Sequence, residues 1–251
     1  MAADRIQIEL DFVRVDEYAN GWQQRPLTGW TIVAPLEKLR AKYTSGGSLI
    51  FDHYVFHYPQ HEPNRITPVD MAAVDQLMSG NLSARHTRWS RIIDASCQQR
   101  LQTVLEQVPV GATIEEPRWD TWVSKAVDSL VQEDVQLAIA TKLLMVKRPW
   151  LVPMYDSALR SAFDDSLDVA GLQQEMRRLL TRNREAVEAL RRTVADEFAL
   201  ELSPLRILEQ LLWFDWNLTA TPDSEGRCHV RGFPEWAFNT KDPGRGVHRV
   251  E

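Results

Sequence analysis

Several residues in this 251-residue chain have types and spacings that could do chemistry. Asp156 ends the run Lys147–Arg148–Pro149–Trp150–Leu151–Val152–Pro153–Met154–Tyr155 and opens the segment Ser157, Ala158, Leu159, Arg160, so it reads as a carboxylate at a helix N-terminus. Lys142 lies inside an otherwise apolar helical pattern, where a buried amine is either a nucleophile-in-waiting or a snorkelling side chain paired with an acid. Glu209 and Trp213 are one helical turn apart and share a face, an acid beside a large ring. His53, His57 and His61 recur every four residues among four aromatic rings, and histidines so spaced could chelate a metal from one helix face. Pro59 would interrupt that helix and no carboxylate or thiolate completes a ligand set. The reading there is an aromatic loop or pocket wall, and no metal or cofactor is assigned.

The elements that must position these groups can be read from periodicity. Val135, Ala138, Ile139, Lys142, Leu143 and Val146 recur at helical spacing, with apolar character spread around the helix, which predicts a core helix. Lys147 and Arg148 crowd its last turn, where cations suit the helix dipole. Pro149 stops the helix, and Pro153 keeps Val152 extended. The expected product is a buried helix, a stiff elbow and an acid at the start of the next helix.

This arrangement resembles the helix-hairpin-helix base-excision DNA glycosylases, in which a helix with small residues runs into a loop ending Pro-Val-Asp. The run ATKLLMVKRPWLVPMYD carries the family's catalytic aspartate onto Asp156. The match is closest to the archaeal-type 8-oxoguanine glycosylases, whose helix has a small-small-lysine step like Ala140-Thr141-Lys142. The chain is also similar to an uncharacterised bacterial family with NRIT..D, KRP.LVP..D and LR.L..LLW segments, here Asn64–Thr67, Lys147 through Asp156, and Leu205 through Trp213. The resemblance implies a two-lobed, mainly α fold in which Asp156 acts on an N-glycosidic bond. Cleavage of that bond develops oxocarbenium character, which a nearby carboxylate stabilises. It implies a flipped base held by Glu209 and Trp213, with Trp150 and Tyr155 as further pocket walls. Lys142 would be the second catalytic candidate, as a Schiff-base nucleophile. The alternative for Trp213 is a core ring, with Glu209 on the exposed edge of its helix.

The chain departs from that pattern at the hairpin. Bifunctional members place their lysine at the start of the helix, after Gly-x-Gly, whereas the hairpin position here is Glu133-Asp134-Val135-Gln136. Without glycine, backbone amides approach a DNA phosphate less closely. Lys142 is also displaced from the usual nucleophile position, which favours monofunctional hydrolysis over lyase chemistry.

Composition bounds the rest. A hydrophobic content of 44% and a charged content of 25% are those of an ordinary soluble globular chain. No apolar run approaches a membrane span, the N-terminus lacks a signal-peptide core, and Cys97 and Cys228 suggest neither a disulfide framework nor a zinc site. A cytoplasmic, monomeric protein is expected. The net charge of −6 argues against avid unspecific nucleic-acid binding but leaves room for a local basic face. Arg85, Arg88 and Arg91, interleaved with His86 and Trp89, are the first candidates for phosphate contact, together with Lys147 and Arg148. The Arg177–Arg192 run reads instead as a solvated face with pairs such as Glu188–Arg192.

Residues 1–66 read as an irregular segment packed on the core, except for a short helix from Pro35 to Tyr43. Residues 67–218 read as the helical core, with Thr67-Pro68-Val69-Asp70 a strong start signal and one long helix over His86–Glu106. Residues 219–251 read as an irregular tail. The function expected is excision of a modified base from DNA, in repair or in defence against phage. A non-catalytic DNA-binding protein on the same scaffold and an all-helical protein-interaction module are the other two classes.

Overall fold

The computed structural model describes residues 8–10, 14–18, 21–25, 30–32, 35–44, 47–58, 62–77, 82–133, 135–155, 159, 163 and 167–219. The chain is mainly helical, with ten α-helices among the described residues: α1 Pro35–Thr44, α2 Gly47–His57, α3 Pro68–Asp75, α4 Leu82–Ile93, α5 Ala95–Leu105, α6 Asp120–Leu130, α7 Leu137–Lys147, α8 Val169–Arg182, α9 Arg184–Phe198 and α10 Pro204–Thr219. The N-terminal segment is more regular than its sequence pattern suggests. β1 Ile8–Leu10 pairs antiparallel with β4 Trp30–Ile32, and β2 Arg14–Tyr18 pairs antiparallel with β3 Gly21–Arg25. No helix among the described residues is long and apolar enough to cross a membrane.

The chain forms two compact units, and their limits fall elsewhere than at residues 66 and 218. One comprises residues 1–46, 157–167 and 178–251, the other residues 47–156 and 168–177. In the first, α1, α9 and α10 pack on one another through Leu36, Leu39, Val187, Leu190, Val194, Leu208 and Leu211, all buried. Tyr43 of α1 meets Phe198 of α9 with ring centroids 5.7 Å apart.

In the second unit, α7 is surrounded. Ile139, Ala140, Leu143, Leu144, Met145 and Val146 join Leu101, Trp122, Val123, Ala126, Leu151 and Val152 in one apolar cluster. A helix apolar on most sides can only be a core element, which is what the periodicity of α7 dictates. α6 and α7 are joined by a tight turn. Gln132 and Val135 exchange both backbone hydrogen bonds, at 3.1 and 2.9 Å. The hairpin thus closes without any glycine.

Two local expectations are corrected. The long helix over His86–Glu106 is two helices, because the Asp94 carboxylate accepts from the N–H groups of Ser96 and Cys97 and caps α5. A side chain that offers the backbone an alternative partner starts a new helix at this point. The aromatic stretch is not a loop: α2 runs through Phe51, His53, Tyr54, Phe56 and His57. Pro59, His61, Asp156 and the tail beyond Thr219 lie outside the described residues.

The Ser96 hydroxyl, which also donates to the Asp94 carboxylate, contributes most to holding that carboxyl below the usual carboxylate range, and the two backbone N–H groups add to it. A depressed folded-state value means stability present above the ordinary pKa of about 4 and lost as pH falls through the lower folded value. Asp94→Asn keeps a good cap but no titration. Urea midpoints measured between pH 2.5 and 6 should therefore vary less with pH in the variant than in the wild type.

Candidate functional site

The end of α7 and the elbow after it are built around two buried cations. Arg148 is 1% exposed, and all five of its guanidinium N–H groups have oxygen acceptors. Nε donates to Val108 O at 3.0 Å, Nη1 to Pro63 O at 2.9 Å and Lys147 O at 2.8 Å, and Nη2 to Asn64 Oδ1 at 2.8 Å and Leu105 O at 2.5 Å. Burial pulls its pKa down to about 10, which leaves it a cation at neutral pH. Its own carbonyl accepts from Leu151 N and Val152 N, both at 3.0 Å, so the same residue folds the elbow back.

Lys147 is 2% exposed and pairs with Asp70 at 2.7 Å. Desolvation pulls the Lys147 ammonium below its ordinary value, against the upward pull of Asp70. Asp70 also accepts from Thr67 N at 2.6 Å, Thr67 Oγ1 at 2.8 Å and Tyr54 Oη at 2.8 Å. Thr67 and Asp70 form a reciprocal capping box at the start of α3, as Thr67-Pro68-Val69-Asp70 announces. Burial, with the neighbouring Asp70 carboxylate, pushes the Tyr54 hydroxyl well above its usual range.

These positions correct the assignment of Lys147 and Arg148 to phosphate contact. Both side chains face inward, where a cation without acceptors costs several kcal/mol, and their hydrogen bonds satisfy protein oxygens rather than a ligand. The remaining candidates have partners of their own. Arg91 donates to Glu133 of the hairpin at 2.8 Å. Arg88 lies 5.8 Å from the Trp89 ring centroid, and the Trp89 indole N–H donates to Asp75 at 3.1 Å. The Arg85 side chain lies outside the described residues.

Beyond the cations, the elbow returns along α7. The Thr141 hydroxyl donates to Leu137 O at 3.0 Å and accepts from the backbone N–H of Tyr155 at 3.0 Å. Tyr155 precedes Asp156 in the chain and Thr141 precedes Lys142, so the hydrogen bond joins the neighbours of both catalytic candidates. Leu151, Val152, Met154 and Tyr155 are buried, and Trp150 is half-buried with its carbonyl accepting from Ile114 N at 2.9 Å. Lys142 is one of three α7 residues, with Leu137 and Ala138, that keep partial exposure.

Glu209 and Trp213 belong to the other compact unit. Glu209 is 1% exposed, so it is not on an outer edge of α10. Arg206 Nη1 donates to its Oε2 at 3.3 Å. With the Gln210 amide oriented by its bonds, Gln210 oxygen accepts from Arg206 Nε at 3.0 Å. Ser203 Oγ accepts from Arg206 N at 3.1 Å and caps the helix. The Lys42 ammonium of α1 lies 3.2 Å from the Trp213 ring centroid. Lys42 and Arg206 were not foreseen. Lys42 carries no sequence signal of this contact, whereas Arg206, three residues before Glu209, could have been paired with it by spacing.

One family model covers residues 38–215, well over half of the chain. The protein belongs to the DUF6308 family, a family of unknown function. No curated protein and no solved structure matches it.

The buried cations give two tests. Arg148→Met leaves four backbone carbonyls and the Asn64 amide without their donor, and should cost at least about 3 kcal/mol in urea unfolding. Arg148→Lys restores the charge but offers three donors in place of five, so it should recover only part of that loss. For the ion pair, Lys147→Met and Asp70→Asn should each cost about 3 kcal/mol because each strands a buried partner. The double variant should cost less than the sum by more than about 1 kcal/mol, and additive losses would show that the two groups do not interact.

Proposed function

We propose that this protein is a DNA glycosylase that excises a modified base by hydrolysis of the N-glycosidic bond, with Asp156 as the catalytic carboxylate. The observation that carries this is the order α6, tight turn, α7, elbow, in which the Tyr155 N–H to Thr141 hydroxyl bond pins the chain just before Asp156 to the turn of α7 bearing Lys142. A carboxylate delivered from a stiff buried elbow is the kind of pre-set group that stabilises developing oxocarbenium charge without reorganising. The proposal includes the two-lobed helix-hairpin-helix fold, a cytoplasmic monomer, and DNA containing a modified base as partner, in repair or in defence against phage.

In this scheme the reaction is hydrolytic and Lys142 is not its nucleophile, since Lys142 sits in the second turn of α7 rather than at its start. Glu209 and Trp213 remain the candidates for base recognition on α10. The Lys42 ammonium already lies against one face of the Trp213 ring, so a stacked base takes the other. Trp150 and Tyr155 remain pocket candidates, Trp150 the more accessible of the two.

A second reading, a helical protein-interaction module with no nucleic acid involved, draws on the same structure. Lys147 and Arg148 are held inward and Arg91 is matched by Glu133 of the hairpin, which lowers the charge available to phosphate.

The deciding experiment is a base-release assay on duplexes carrying a panel of modified bases. Asp156→Asn should lower the rate by roughly a hundredfold or more while disturbing the fold little, because Asn is nearly the same size and, at the helix start expected from sequence, caps as well as Asp. Binding to a duplex with an abasic-site analogue should survive that change. Lys142→Gln should spare base release and remove any borohydride-trappable adduct. Full activity in Asp156→Asn would make the elbow structural, and no release from any duplex by the wild type would favour the second reading.

A further inference from the structure

Helix α2 places two histidines where neither the fold nor the proposed chemistry uses them. His53 and His57 are one helical turn apart, with ring centroids 5.0 Å apart and planes inclined by 36°. His57 is exposed and His53 half-buried, so both rings are reachable from solvent. Among the described residues neither imidazole makes a hydrogen bond or ion pair, in contrast to Tyr54 between them, which is engaged with Asp70. Tyr54 and Tyr58 form a tilted ring pair, with centroids 6.1 Å apart and planes inclined by 30°. The apolar positions Phe51 and Val55 are buried, which fixes the rotation of α2 and holds the histidines outward.

We infer that His53 and His57 form a bidentate site for a divalent transition metal of the zinc, nickel or copper class. Imidazole nitrogen binds such ions at about 2.0–2.1 Å, which puts the metal roughly 3.2 Å from each ring centroid. Ligand angles between about 90° and 110° then require centroids roughly 4.5–5.2 Å apart, and the observed 5.0 Å falls inside that span. Imidazole suits these borderline ions and gives no foothold to magnesium or calcium, which take oxygen ligands. Two protein ligands leave the remaining positions to water or to an incoming donor, so the site is open. Chelation bridges successive turns at the C-terminal end of α2. It thereby stiffens the helix that presents Tyr54 to Asp70 and, through Asp70, to Lys147.

The test uses untagged full-length protein titrated with zinc or nickel chloride by calorimetry, beside thermal melts with and without metal. The wild type should bind one equivalent at micromolar concentrations, and its melting temperature should rise with metal and fall back with EDTA. His53→Gln and His57→Gln should each weaken binding at least tenfold and abolish the metal-dependent rise, while their metal-free melts stay near wild type. His86→Gln should bind as the wild type does. No binding by the wild type at 1 mM metal, or equal binding by both single variants and the wild type, would overturn the assignment.

Discussion

A guanidinium with five hydrogen bonds and no carboxylate among its acceptors organises the second compact unit. Arg148 gathers Pro63 and Asn64 from the segment before α3, Leu105 and Val108 from the end of α5, and the last carbonyl of α7. These are chain ends and turns, whose carbonyls have no partner within a helix. Burying them without a donor would be costly, and one planar side chain supplies donors in the needed directions. The charge itself is expensive to desolvate, and dipoles alone repay it only because every N–H is engaged. Lys147, one residue earlier, follows the other solution and brings its own carboxylate.

That clasp has a consequence for the site. The Arg148 carbonyl turns the chain at Leu151 and Val152, and the Thr141 hydroxyl catches it again at Tyr155. Five residues are thus held at both ends, with their apolar side chains buried between. Such a segment has few conformations left to lose, which is the condition the proposed function needs for a precisely placed group. The same residues bring little charge to the surface. On the proposed reading, attraction for DNA has to come from other parts of the chain, and with a net charge of −6 it has to be local.

Much of the fold was legible because periodicity and stop signals agree locally. The apolar circumference of α7, Pro149 after it, and the cap at Thr67 each dictate what is observed. Other features depended on partners distant in sequence. Lys147 and Arg148 look like a helix-dipole pair on a surface until Asp70, Asn64, Leu105 and Val108 are brought to them, and the last of these contacts spans forty residues. Glu209 read as an edge residue for the same reason, since its burial depends on helices α1 and α9. The break at Asp94 was local and visible: a capping residue followed by Ala95-Ser96-Cys97 competes with helix continuation, and strong periodicity on both sides concealed it. At α2 the signal of Pro59 is a boundary rather than a loop: a proline disfavours helix only at itself and its predecessor, and the helix ends before both, at His57.

Two segments that carry the family resemblance, Asn64–Thr67 with Asp70 and Lys147–Asp156, are joined physically, by Asn64 to Arg148 and by Asp70 to Lys147. Most of their polar residues are therefore accounted for without any ligand. Thr67 caps α3, Asp70 closes the capping box and neutralises Lys147, and Asn64 accepts from Arg148. Arg65 is exposed and pairs with Glu62 at 3.5 Å. The clasp explains why these residue types stand at these spacings, and it needs nothing from Asp156. A pattern that looked like evidence for one catalytic residue thus divides into a structural part and a remainder. The remainder is the position of Asp156 in the sequence, directly after Tyr155, whose N–H is held by the Thr141 hydroxyl. That is a narrower basis for catalysis than the whole motif offered, and a more exacting one, because it stands or falls on Asp156 alone.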